Sequence, residues 1–258
     1  MSDGVYITEL KNGKKSFRSS FTYKGRHISL GSFSSYREAN QVYIDAKEIT
    51  NNNSISIENY TMDFSIPFDK FVCIINFRDN DVYIKNPIYL KMNFFYYYLN
   101  PNTILTFDID DLFFYSNHKI QKRGNRLFCA DFGMQITLNS RYGIKNHAVI
   151  GRDYVFINGD INDYRYENIH IINKYYGVNK KDTELYVTTI HINGNVIVGK
   201  YKNEIIAAIA YNKACDYLKS IGITKNYPQN YIESLPAKEY AEIYSSLDLS
   251  DFYHKLSI

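Results

Sequence analysis

Tryptophan is absent from the 258-residue chain, proline occurs five times and cysteine three times. Cys73, Cys129 and Cys215 are scattered and form no CxxC pair. That spacing excludes a zinc module of paired cysteines and a disulfide framework, and fits an intracellular, reducing compartment. No window of about 18 apolar residues exists, so no membrane span is expected. The opening residues are polar and charged, unlike a signal peptide. One-signed charge is scarce too. A formal net charge of +3 says little about a polyanionic partner.

The distribution of that charge says more. Lys11, Lys14, Lys15, Arg18, Lys24, Arg26 and Arg37 stand against only Asp3 and Glu9 in the first 37 residues, whereas residues 51–118 carry eight acids and four bases. A basic end joined to an acidic middle points to an N-terminal module that meets a polyanion. Residues 4–33 hold three short alternating runs, separated by the turn signals Asn12-Gly13 and Lys24-Gly25. In the second run Phe17, Ser19 and Phe21 share one face, and Arg18, Ser20 and Thr22 the other. In the third, Ile28 and Leu30 oppose His27 and Ser29. A three-stranded antiparallel sheet is expected, apolar behind and polar in front.

A helix follows. Ser35 and Glu38 have the spacing of a capping box, and Ala39, Val42, Tyr43, Ala46 and Ile49 fall on one stripe that should pack against the sheet. The other sheet face is left for a ligand, with Arg18 central and Lys14, Lys15 and Arg26 at the edge. Gly4-Val5, Gly13-Lys14, Phe17, Leu30-Gly31-Ser32-Phe33, Glu38-Ala39, Tyr43 and Ala46 resemble the Apetala-two/ethylene-response-factor type DNA-binding domain. The resemblance implies a sheet laid into the major groove of duplex DNA. The candidate contacts are Lys14, Lys15, Arg18, Ser20, Thr22, Arg26 and His27, with base edges read from the sheet and phosphates held at its rim.

The pattern recurs. Gly199, Tyr201, Ala207, Tyr211 and Ala214 lie 168 residues after Gly31, Phe33, Ala39, Tyr43 and Ala46. Gly177-Val178 resembles Gly4-Val5, Ile192-Asn193-Gly194-Asn195 supplies the hairpin turn, and Asn203 is placed to cap the helix. The expected outer face of this copy is Val187, Thr189, His191, Asn195 and Ile197, without an arginine. It binds DNA weakly or meets protein, either a partner or a second copy of the chain. A further helix is expected around Ala237 to Leu247.

Between the copies, Phe71 to Phe77 reads as a buried strand, and the aromatic run Phe94 to Tyr98 suits core packing better than base stacking. Residues 103–175 resemble an HNH nuclease core through Ile157-Asn158-Gly159-Asp160, Asp163, Arg165 and Glu167-Asn168-Ile169, with Ile136-Thr137-Leu138, Arg141 and Phe107 to Asp111 upstream. The resemblance implies a metal ion and a histidine base acting on a phosphodiester, and makes Arg141 and Arg165 secondary DNA contacts beside Thr189 and His191. In that family an Asp-His pair precedes Ile-Asn-Gly. Here Val155 and Phe156 stand in its place, Tyr164 replaces an asparagine, and a later ligand falls near Gly177. Valine binds no metal and phenylalanine accepts no proton, so no catalytic residue, metal or cofactor is assigned.

The expected fold is α+β: two small three-stranded-sheet-plus-helix modules flanking a degenerate ββα-metal, HNH-like core. Its divisions are 1–50, 51–175 (core from about 103), 176–232, and a helical tail 233–258. The expected function is non-catalytic binding of double-stranded DNA by a scaffold derived from a virus- or mobile-element-encoded homing endonuclease, in a transcriptional, architectural or packaging role. The abundance of Tyr, Ile, Asn and Lys has the cast of an AT-rich genome. Two alternatives stand beside it. One is a nicking enzyme whose unorthodox ligands come from Asn146-His147, His170 or Asp108, Asp110 and Asp111; the other is a protein-interaction subunit.

Overall fold

The computed structural model describes residues 4–9, 13–61, 63–131 and 133–256. The turn residue Asn12, and Asp3 and Lys11 of the charged N-terminal stretch, lie outside the described residues. The architecture is α+β, with several small antiparallel sheets and, among the described residues, seven helices. The chain divides into two compact units, residues 1–138 with 160–168, and residues 139–159 with 169–258.

The first unit opens with strands β1 (Val5–Glu9), β2 (Lys15–Tyr23) and β3 (Arg26–Phe33), antiparallel in that order. Helix α1 (Tyr36–Asn51) starts at the expected capping box: the Glu38 N–H donates to Ser35 Oγ at 3.2 Å, and the Ser35 N–H to Glu38 Oε2 at 3.3 Å. Ala39, Val42, Ala46 and Ile49 are fully buried along its stripe. The Arg78 guanidinium caps its far end, donating to the Ile49 and Asn52 carbonyls at 2.9 Å each. Asp45 is buried and accepts from the Ser65 and Ile66 N–H groups, tying the following loop back onto the helix.

The expected strand over Phe71 to Phe77 is instead the middle of helix α2 (Phe68–Asn80). A short, wholly apolar run has neither period two nor period 3.6, so pattern cannot separate strand from helix. The environment decides. The helix packs on α1 and on the sheet of β4 (Ile88–Leu90), β5 (Phe94–Asn100) and β6 (Thr103–Asp108), and Phe71 through Phe77 are all buried. One core therefore runs from Phe21, Ile28 and Leu30 through Val42 and Ile49 to Ile74 and Tyr98. The aromatic run is β5, whose Phe95 and Tyr97 are buried against Phe107 and Tyr115. Helix α3 (Leu112–Asn117) and the sheet β7 (Ile120–Arg123), β8 (Arg126–Asp131) and β9 (Met134–Thr137) follow, then the short α4 (Leu138–Arg141). Residues 160–168 return to β6, where Thr106 N–H donates to the Asn162 carbonyl and Tyr164 N–H to the Thr106 carbonyl.

In the second unit β10 (Tyr154–Phe156) and β11 (Ile169–Ile171) form a hairpin-like pair, and β12 (Val178–Asp182), β13 (Leu185–His191) and β14 (Asn195–Tyr201) form a sheet. Helix α5 (Glu204–Ser220) is capped as expected, with Asn203 Oδ1 accepting from the Ile205 and Ile206 N–H groups. Residues 172–177 run from β11 into β12 without a helix. Two short tail helices, α6 (Ala237–Ser246) and α7 (Ser250–Leu256), cover α5. The first was expected; the second was not.

The two copies share a structural signature beyond their element order. Gly4 and Gly177 both hold positive φ, +64° and +70°, and both lie flat against a helix tyrosine. A Cβ on Gly4 would fall inside the Tyr43 ring and the Ser20 carbonyl; on Gly177 it would fall inside the Tyr211 ring and 2.6 Å from the Thr189 carbonyl. Each glycine carbonyl accepts from β2 or β13 at 2.8 Å, from Ser20 N–H and Thr189 N–H. Each sheet then slips by one residue at that point, between Ser19 and Ser20 and between Thr188 and Thr189.

Gly4→Ala and Gly177→Ala are each expected to lower unfolding free energy by about 2–4 kcal/mol in urea titrations, through left-handed strain plus overpacking. Gly13→Ala, with nothing within 4 Å of its Cβ, should cost clearly less. Equal losses at Gly4 and Gly13 would contradict the close-contact explanation.

Candidate nucleic-acid interface

Register decides which side chains the first sheet presents. Tyr6 pairs with Arg18 and Arg18 with Ser32, Thr8 with Ser16, and Thr22 with His27, so these residues occupy the face away from α1. Arg18, Thr22 and His27 are exposed there, as expected. Arg18 has no ion-pair or hydrogen-bond partner among the described residues. Lys14 and Lys15 are exposed at the start of β2, where Lys15 faces Glu9 across the ladder.

By register Lys15, opposite Glu9, falls on the Phe17 side of the sheet, and two further expected contacts do not reach the open face. Ser20 is only 7% exposed, because it sits at the slipped position where Gly4 crosses the sheet. Arg26 pairs with Tyr23 at the hairpin and points to the other side, its guanidinium over the Tyr83 ring at 4.8 Å. Lys24, part of the same basic cluster, is also committed, to Asp81 and the Arg78 carbonyl. Conversely Tyr6, 51% exposed beside Arg18, belongs to the surface and was missed. Its signal was present in the alternation of the first run, but fixing its partner needed the turn between the strands.

The HNH-like residues divide between the two units. In the first, Arg165 makes a bidentate ion pair with Asp163 at 2.9 and 2.7 Å, lies 3.3 Å from Glu167, and covers the Phe94 ring at 5.5 Å. Carboxylates on both sides thus pair with its guanidinium. Asn168 is buried and donates to the Asp163 carbonyl at 2.8 Å, closing the loop. Asp108 accepts from the Tyr166 N–H and Asp111 from the Tyr166 hydroxyl, so these acids fasten that loop. In the second unit Val155 stands opposite His170 on the β10–β11 ladder, and Phe156 is buried, edge to face with Tyr154 at 5.7 Å. Arg141 is half-buried at the end of α4. Among the described residues no group of three His, Cys, Asp or Glu side chains is placed to hold a metal.

The outer face of the second copy differs from that of the first. Register aligns Val187 with Arg18 and Thr189 with Ser20. Val187 is buried, and Thr189 and His191 line a cleft of about 810 Å³ with Lys145, His147 and Lys225. His191 Nδ1 lies 3.0 Å from Asn195 Oδ1, and Asn179 donates to the Thr189 hydroxyl. Lys145 and Lys225 were not singled out from sequence; they lie far apart in the chain and no motif joins them.

The three cysteines are buried and form no disulfide, and burial pushes the Cys73 and Cys215 thiols up to about 12. No helix among the described residues is long and apolar enough to cross a membrane. No protein-family model, curated protein or solved structure matches this chain.

If Phe156 is held by packing, Phe156→His should lower unfolding free energy by about 2–4 kcal/mol, because an imidazole fills the site poorly and takes a polar ring into it. Denaturant titration measures this. A neutral effect would mean that the position tolerates the histidine of a nuclease.

Proposed function

We propose that this chain is a non-catalytic duplex-DNA-binding protein on a homing-endonuclease-like scaffold, with two Apetala-two-like modules beside an HNH-like remnant. The observation that carries the reading is the outer face of β1–β3. It is an open antiparallel sheet backed by α1, with Arg18 exposed at its centre and hydroxyls, Tyr6 and His27 around it. A sheet of this kind can enter the major groove, where an arginine pairs with guanine through two hydrogen bonds. Lys14 and Lys15 lie where rim contacts to phosphates would form.

The absence of catalysis follows from the side chains at the HNH-like positions. Val155 and Phe156 carry no lone pair for a metal and no group to accept a proton, and Phe156 is turned into packing. In the first unit Asp163, Arg165 and Asn168 hydrogen-bond to one another and to their loop. The role is therefore one of occupancy on DNA, transcriptional, architectural or packaging-related.

A gel-shift titration of a random-sequence duplex in magnesium tests this. Arg18→Ala is expected to weaken binding roughly tenfold or more, the cost of one base-directed arginine at about 1–3 kcal/mol. The duplex should be recovered uncut. Unchanged affinity in Arg18→Ala would remove the sheet from the interface, and cleavage lost in His147→Ala would make the chain a nuclease.

A further inference from the structure

The second copy has the strands for a reading sheet but not the shape. A duplex reader must project into a groove, about 12 Å wide on the major side. Here the outer face of β12 and β13 is the floor of a concavity. Residues 145–148 and 152–153 form one wall and residues 225–228 another. At about 810 Å³ the cleft has the size of a small-ligand pocket, not of a duplex-binding surface.

Its charge is one-sided. Lys145, Arg152 and Lys225 line it together with one carboxylate, that of Asp153. Asp153 is already occupied: it accepts from Arg152 at 2.6 Å, from the Val149 N–H at 2.8 Å and from Asn173 at 3.0 Å. The two lysines are bonded to carbonyls instead, Lys145 to Tyr175 and Lys225 to His191 at 2.9 Å, and neither has a carboxylate ion pair among the described residues. Burial pushes the Lys145 ammonium down to about 8, against the opposing pull of Asp153 and Glu204. Such a cation gains from an arriving anion.

The remaining lining can recognise a base. Lys225 lies 5.4 Å from the Tyr227 ring centroid and Lys145 5.3 Å from that of Tyr176, so aromatic faces stand beside the cations. The Asn146, Asn179, Asn195 and Asn226 amides supply donor and acceptor together, as a base edge requires. Cations that follow a backbone, with rings on which bases stack, are what single-strand sites combine.

We propose that this cleft binds unpaired nucleotides of a single-stranded nucleic acid, with backbone phosphates against Lys145 and Lys225. The chain then holds two different nucleic-acid sites, an open sheet for a duplex and a walled copy for a strand. The second site does not depend on the first.

Fluorescence anisotropy of the full chain with labelled oligothymidylate tests it. The wild type should bind, and His147→Asp should weaken binding by about tenfold or more by placing a carboxylate at the rim. His147 is exposed at φ +68°, a conformation aspartate tolerates, so the variant should keep its thermal melt. Lys225→Ala, at an exposed position, should weaken binding in the same direction and serves if the first variant misfolds. No binding by the wild type would overturn the proposal. So would affinity unchanged in both variants, affinity lost only in Arg18→Ala, or equal competition by polyglutamate. Failure of the duplex reading shows separately, as an Arg18→Ala variant with undiminished duplex affinity.

Discussion

In both modules a glycine in the left-handed region lies against the face of a helix tyrosine, Gly4 on Tyr43 and Gly177 on Tyr211. That contact needs both partners. The tyrosine fixes how closely the chain passes the helix, and no other residue fits without its Cβ striking the ring or the neighbouring carbonyl. The glycine carbonyl then takes the N–H of Ser20 or Thr189, the residue at which each sheet slips. The slip adds Leu30 to one core and Val198 to the other, both buried, and sets which residues of the next strand face outward. Arg18 and His27 owe their shared face to this constraint. Ser20 owes its burial to it.

From a common frame the two copies reach different surfaces by few changes. Where the first presents Arg18, the second has Val187, covered rather than exposed. The first sheet shares its apolar side with α2 through one core and leaves its polar side open. The second is backed by α5 and the tail helices and walled in front by residues 145–148, 152–153 and 225–228.

Much of this was legible in the residues. Capping by Ser35 with Glu38 and by Asn203, the buried stripe of α1, the repeat itself and the tail helix from Ala237 are local or periodic signals, and each was readable. The failures were non-local. Phe71 to Phe77 is helical because two elements enclose it, a condition the run does not carry. Arg26 lies over Tyr83, far along the chain, and not on the Arg18 face, and Arg165 is paired with carboxylates whose positions depend on loop geometry. Charge counts see how many cations there are, not which are already paired. The cleft was invisible for the same reason, since Lys145 and Lys225 meet only through the fold.

The central proposal is that this chain grips duplex DNA through the open sheet face that carries Arg18. The most direct measurement is the affinity of the full chain for a random-sequence duplex across monovalent salt. Phosphate contacts release counterions, so the logarithm of the association constant should fall linearly with the logarithm of salt, by about 0.9 for each phosphate neutralised. A slope near zero, or no measurable binding at low salt, would contradict the account.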